Sequence, residues 1–248
     1  MNKINLIVGV LVLSLVFSCD TNDATIQIDN SLASLVAVNS IEIDNVIACA
    51  SGSKDEENTI IAYAYPRDGA TDLRYYETAS ITDDKNNYQN YNRILIEPED
   101  FFNGYLKKFT RITEEEKWVI ITFFENNKLH LSNPIRLKHL TKPTEFTDAV
   151  SIDMSQQTMP SFMWEDGIIA ENKIYFQVIS DVNNDLLSGT YTFEKEFQYY
   201  KLDNVVLNIT QETPPQLNPM NSYNFTLMGV SEDNWVNLFI ERNFTLNP

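Results

Sequence analysis

Few side chains in this sequence have the type and spacing that chemistry requires. Asp181, Asn183 and Asp185 recur at every second position, as the ligands opening a calcium loop do. Leu186 stands where that loop needs glycine, and Thr192 where it needs a distal Glu. A polar hairpin turn accounts for the same residues. The 2 histidines are His130 and His139. Zinc or acid–base chemistry would want further His, Cys or carboxylate groups at local spacing, and none is there, so both read as surface residues. Cys49 lies in the apolar run Asn45-Val46-Ile47-Ala48-Cys49-Ala50. It lacks the electropositive neighbours that activate a thiol, which predicts a buried, inert side chain. Nucleophile elbows, phosphate loops, dinucleotide fingerprints and H-E-x-x-H are all missing. The residues therefore predict no catalytic group, no metal and no cofactor.

Aromatic residues are the remaining candidates. They are partly doubled, as in Tyr75-Tyr76, Phe101-Phe102, Phe123-Phe124 and Tyr199-Tyr200. Neighbours on a strand point to opposite faces, so one of each pair should face outward. β-propensity alone explains such residues on a sheet exterior. An exposed Tyr can also stack on a sugar or anchor a protein partner. Tyr88 and Tyr91, in the polar segment from Thr82 to Asn92, are the predicted ligand contacts.

The elements that would position these residues are strands. Short β-branched and aromatic runs alternate with Asn, Asp, Gly and Pro. Ser40 to Ala50, Thr59 to Tyr65, Leu73 to Ser80 and Arg93 to Ile96 read as strands, with Pro66-Arg67-Asp68-Gly69 as a turn. Glu97 to Phe109 is ambiguous, and Pro98-Glu99-Asp100 fits the start of a short helical turn. Trp118 to Phe124 and Leu129 to Lys138 form a hairpin. Pro134 in its return strand predicts an edge or a bulge. The second half supplies strands at Phe162 and Trp164, Lys173 to Ser180, Thr190 to Phe193, Phe197 to Leu202, Val205 to Thr210, Tyr223 to Val230 and Trp235 to Leu246. Leu140-Thr141-Lys142-Pro143-Thr144 is the predicted boundary. Two groups of about seven short strands are the pattern of two β-sandwiches.

A chain of 248 residues with 43% hydrophobic content has material for real cores. Its formal net charge of −17 repels phosphate backbones, and no basic cluster offsets it, which excludes nucleic acid as a partner.

The N-terminus carries Lys3 and then an apolar run from Leu6 to Phe17. This is the layout of a secretory signal, and it is shorter than the roughly 20 apolar residues of a spanning helix. It ends in Leu15-Val16-Phe17-Ser18-Cys19, which resembles the lipobox of bacterial lipoproteins. Ser18 and Val16 fit that pattern, and Phe17 departs from the commoner small residue. The resemblance implies cleavage before Cys19, a diacylglycerol thioether on Cys19, N-acylation, and thus a membrane partner reached through the acyl anchor. The alternative is a plain signal peptide with an incidental cysteine. Asp20 directly after Cys19 resembles the inner-membrane retention signal of some bacteria, whereas in others acidic residues near the anchor accompany surface export. The Asn-, Tyr- and Ile-rich composition resembles lipoproteins of Bacteroidota, which implies the outer membrane, with the periplasmic or surface face left open.

The second half resembles fibronectin type III domains. Leu217, Pro219 and Tyr223 have that family's spacing where the chain enters its sixth strand, and Trp164 fills the place of its core Trp. The resemblance covers Pro143 to Pro248 and implies a tyrosine corner, with the ring on the core and the hydroxyl bonded to upstream backbone. In the first half, Trp118 stands where Tyr would be, and Ile96, Pro98 and Phe102 have the spacing too early. That half reads as an immunoglobulin-like sandwich. The expected organisation is thus all-β: a signal peptide at 1–18, a lipidated tether at 19–35, an immunoglobulin-like sandwich at 36–140 and a fibronectin type III-like sandwich at 141–248. The expected role is a non-enzymatic envelope module for binding, adhesion or assembly with a protein or glycan partner, or alternatively a glycan-binding accessory surface lipoprotein.

Overall fold

The computed structural model describes residues 30–246, apart from 157, 211 and 212. The export signal and Cys19 lie outside the described residues. Among the described residues the fold is all-β with one short α-helix, α1 (Leu32–Ala37).

The first half holds β1 (Ile41–Gly52), β2 (Thr59–Tyr65), β3 (Thr71–Glu77), β4 (Asn92–Ile94), β5 (Glu99–Phe101), β6 (Leu106–Ile112), β7 (Trp118–Glu125), β8 (Lys128–Ser132) and β9 (Ile135–Arg136). Strand β1 belongs to both sheets of this sandwich. Its start runs parallel to β8, and Ile47 to Gly52 run antiparallel to β2. Its register to β8 shifts between Glu42 and Val46, where Asp44 takes φ 59°. One layer is therefore β4-β3-β7-β8 with β9, and the other β1-β2-β6-β5. The β7–β8 hairpin turns through Asn126 and Asn127, at φ 51° and 61°, the left-handed pair a tight hairpin favours. Phe123 faces His130, but Val119 faces Ile135. The pairing has slipped by one residue, and Pro134 sits in the resulting bulge. The Ser132 hydroxyl accepts the Ile121 N–H there at 3.0 Å.

The second half holds β10 (Glu145–Thr147), β11 (Ser151–Asp153), β12 (Ser161–Met163), β13 (Asn172–Ser180), β14 (Leu186–Thr192), β15 (Glu196–Gln198), β16 (Val205–Asn208), β17 (Ser222–Ser231) and β18 (Val236–Thr245). The layers are β10-β18-β17-β13-β14-β16 and β11-β12-β15. Trp164 lies just past β12 in the core between them, edge-on to Tyr175 at 5.5 Å. Leu217 and Tyr223 are buried in the same core, and the Tyr223 hydroxyl accepts the Asn218 N–H at 2.8 Å. That is a tyrosine corner.

The two sandwiches lie face against face. Ala48, Ala50, Ala62 and Ala64 point into the first sandwich's own core, while Ile47, Cys49, Ile61, Tyr63 and Tyr65 point the other way. They meet Phe176, Val178, Tyr191, Met228, Val230 and Phe239 of the second sandwich, and the rings of Tyr63 and Phe239 are 6.4 Å apart. The result is a stack of four sheets with three apolar layers between them.

The junction is bonded throughout. The β17–β18 turn reaches the first sandwich, where Ala50 N–H donates to Asn234 O at 3.1 Å and Arg136 N–H to Asp233 O at 2.9 Å. Lys138 pairs with Asp233 at 2.7 Å. Trp235, 0% exposed, packs into the core of the first sandwich, and its indole N–H donates to Lys142 O at 2.8 Å.

Two expectations are corrected here. Pro98-Glu99-Asp100 opens no helical turn: residues 99–101 form β5 and pair with β6. Nor is the chain a free tether as far as residue 35. Ser31 caps α1, Leu32 is buried, and Leu32 N–H donates to Tyr91 O at 2.9 Å.

Candidate functional site: the cleft between the sandwiches

The turn after β2 places Arg67 and Asp68 at one edge of the inter-sandwich layer. Gly69 takes φ +86°, and Ala70 N–H closes the turn on Arg67 O at 2.9 Å. Arg67 folds back over the first sandwich. Its Nη1 donates to Asn45 O at 2.7 Å and also to Asn45 Oδ1. Its Nε and Nη2 donate to Glu125 Oε2 at 3.0 and 2.6 Å. Nη2 also lies 3.0 Å from His130 Nδ1. A guanidinium only donates, so Nδ1 accepts and the geometry assigns the imidazole proton to Nε2. Arg67 and His130 both lie over Phe123, at 5.2 and 5.3 Å from its ring centre. Hydrogen bonds from Arg67 hold the Glu125 carboxyl below its ordinary range. Arg67 thus ties β1, the β2–β3 turn and the β7–β8 hairpin together, and its charge is spent inside the fold.

Beside this brace opens a cleft of about 1050 Å³. Asn45, Tyr65, Arg67 and Asp68 form one wall with the turn Asn103-Gly104-Tyr105, and Leu186, Leu207, Asn208 and Ile209 form the other. Tyr65 bridges the walls by donating its hydroxyl to Ile209 O at 3.3 Å. The turn carrying Tyr105 is strained. Phe102, Asn103 and Gly104 take φ 49°, 56° and 83° in succession. A bulky residue held in that region costs on the order of 1–3 kcal/mol, and burial of the Phe102 ring against Phe101 at 4.1 Å holds it there. The consequence is that Tyr105, 40% exposed, stands at the rim. Among the described residues, the side chains of Tyr105, Asp68 and Asn103 have no hydrogen-bonding partner. Asn208 spends its carbonyl oxygen on Thr210 N–H at 3.0 Å, which leaves its NH₂ group unused.

The residues singled out by sequence lie elsewhere. Tyr91 is 0% exposed, which corrects its assignment as an exposed contact. α1 covers the polar loop, so the ring packs with Leu32, Tyr76, Ile120 and Leu129, and its hydroxyl donates to Lys85 O at 2.8 Å. Tyr88 is half-buried against the same cluster. The surface reading of the histidines is corrected as well. His130 is buried beneath Arg67, and His139 is half-covered, with Nε2 3.0 Å from Thr113 O. Asp181 Oδ1 accepts the N–H groups of Asn183 at 2.8 Å and Asp185 at 2.9 Å, as a hairpin turn requires. Cys49 lies in the inter-sandwich layer, where burial pushes its thiol up to about 12. The cleft residues escaped notice because they come from loops about a hundred positions apart. The local signals were two turns, Pro66-Arg67-Asp68-Gly69 and the dipeptide Asn103-Gly104 directly before an aromatic residue.

No family model and no curated protein matches the chain. Among solved structures, it is similar to a two-domain fibronectin type III segment of chicken tenascin, with TM-score 0.31 and 11% identity over 82% of this chain and 99% of that one. It is also similar to the FN1–FN3 domains of chicken CNTN1, with TM-score 0.30 and 10% identity over 85% and 68%. A third is the receptor tyrosine kinase Torso, described with its perception of a neurohormone, with TM-score 0.28 and 10% identity over 85% and 77%. These likenesses concern the sandwich plan alone.

Proposed function

We propose that this protein is a lipid-anchored envelope protein that acts as a non-enzymatic binding module and takes its ligand in the cleft between its sandwiches. Support for the anchor comes from the leader and the Leu15-Val16-Phe17-Ser18-Cys19 segment, with Cys19 as the acylated residue and the outer membrane as its address. Support for binding comes from one observation. A cleft walled by two packed sandwiches presents an exposed Tyr and several polar groups that have no partner among the described residues. A site of this kind is pre-organised, because ordering its walls costs nothing further on binding. Catalysis has less support. Proton transfer near neutral pH needs a carboxyl tuned upward, whereas Arg67 tunes Glu125 downward.

Two experiments test this reading. Mass spectrometry of the mature protein should find an acylated Cys19, and Cys19→Ser should abolish palmitate incorporation. Partner capture from the protease-accessible face of whole cells should lose its captured species in Asn208→Arg, which places a long charged side chain in the cleft. Capture unchanged by that variant would place the ligand elsewhere, and turnover of a substrate would end the non-enzymatic reading. Adhesion or assembly is the leading role. The accessory glycan-binding role is favoured by the specific chemistry of the cleft rim.

A further inference from the structure

We infer that the cleft takes a neutral carbohydrate, with Tyr105 as its stacking platform and Asp68, Asn103 and Asn208 as its hydroxyl-binding groups. This rests on the cleft being the ligand site, as proposed above. Four observations narrow the ligand class.

The first is charge. Among the described residues, the charged side chains lining the cleft are Arg67, Asp68 and Glu125. Arg67 and Glu125 neutralise each other at 2.6 Å, which leaves Asp68 as the unpaired charge. An anionic ligand would meet a carboxylate with no free cation to offset it, in a protein whose net charge is −17. The second is the kind of polar group on offer. Asp68, Asn103 and the Asn208 amide are planar groups with two polar atoms or two N–H bonds each. Adjacent sugar hydroxyls present donors and acceptors in pairs that such groups grip with both atoms. The third is Tyr105. Its ring has no aromatic neighbour among the described residues, stands at the rim, and is held by a turn whose backbone conformation is costly. An aromatic face kept open packs against the C–H face of a pyranose ring, while its hydroxyl stays in water. The fourth is size. About 1050 Å³ lies at the upper end of ordinary ligand clefts and accommodates several sugar rings. A purely apolar ligand would strand these polar groups without water or partner.

The test uses the full-length protein in a non-glycosidic detergent, screened against an array of neutral and anionic oligosaccharides and, in parallel, a peptide library. The strongest neutral binder is then titrated calorimetrically. Tyr105→Ala should weaken it by about tenfold or more, and Tyr105→Phe should retain it, since the ring and not the hydroxyl is the platform. Asp68→Ala should weaken it by about fivefold. Thermal melting of all three variants should match the parent. Binding confined to anionic glycans, binding of neutral glycans unaffected by Tyr105→Ala, or no glycan binding at all would each overturn the inference. A peptide ligand lost in Tyr105→Ala would overturn the carbohydrate assignment and leave the cleft standing as the site. Ligands of any class that bind equally to parent, Tyr105→Ala and Asn208→Arg would overturn both.

Discussion

Strand β2, Thr-Ile-Ile-Ala-Tyr-Ala-Tyr, buries side chains on both of its faces, whereas β15, Glu-Phe-Gln, buries only its central Phe197. The same division runs through the molecule. The two central sheets are apolar on both sides, and the outer β11-β12-β15 sheet alternates between core and solvent. A sheet with one buried face needs one partner. A sheet with two buried faces is incomplete until a second layer arrives. Each sandwich therefore has a finished core of its own and also a large apolar outer face that only the other sandwich covers. Exposed separately, faces of that size would aggregate. The difference teaches that the two halves are one stability unit, with a central apolar layer between the flanking cores.

Cys49 reads that central layer directly and gives the largest expected effect. With its thiol pushed up to about 12, it holds about a thousandfold less thiolate at pH 8 than an ordinary cysteine. Labelling with a thiol reagent should be slower by that factor in the native protein and become fast in denaturant. Rapid native labelling would mean that the central layer opens. Trp235→Ala comes next. It removes a fully buried indole that belongs to the second sandwich by sequence and to the first by packing. The expected loss is about 3–5 kcal/mol, read as one cooperative denaturant transition at a lower midpoint. Two separated transitions would show the halves to be independent.

Glu77→Gln probes the first sandwich away from the central layer. Glu77, 4% exposed, receives Arg111 through Nε and Nη2 at 3.1 and 3.0 Å and Lys117 at 3.0 Å. Burial alone would raise its carboxyl, but the two cations outweigh it and hold it below its ordinary value of 4.5. Its folded value is depressed, so its contribution is complete above the unfolded value and is lost as pH falls through the folded one. Stability should therefore decline below about pH 4.5, with Asp166 and Asp233, which are depressed in the same way, adding to the slope. The variant should cost about 2 kcal/mol near neutral pH, less than a fully buried pair because Arg111 is partly exposed. It should also flatten the acid limb of a stability-versus-pH curve. Val206→Lys, on the exposed face of β16, marks the small end, with a change within about 0.5 kcal/mol. A larger loss there would show that this outer strand is covered.

Much of this architecture was legible in the chain. Alternation and turn residues gave the β7–β8 hairpin, and the spacing of Leu217, Pro219 and Tyr223 gave the tyrosine corner. The apolar run of β2, and that of Tyr175 to Ile179 with only Gln177 interrupting it, carried the mark of strands covered on both faces. A run of this kind does not name the surface that covers it, so the face-to-face stacking was not readable. Tyr91 misled because its loop is polar along the sequence, while the segment that buries it, Leu32 to Ala37, lies about 55 positions earlier. His130 misled because strand periodicity cannot foresee an arginine folding over it from a distant turn. The cleft was out of reach for the same reason. Its walls are set by how two sheets meet, and only the Pro66-Arg67-Asp68-Gly69 and Asn103-Gly104 turns left a local trace.

Strand β1 is the first strand of the described chain and is stitched along its length into two sheets, β8 on one side and β2 on the other. A tug arriving from the N-terminal side must first peel α1 from its seat and then tear both ladders before any other strand is freed. A protein moored by its N-terminal end would carry such a load through a strand that is paired on both sides. The cleft between the sandwiches is braced through Asn45 on that same strand, so such a pull would reach its wall directly.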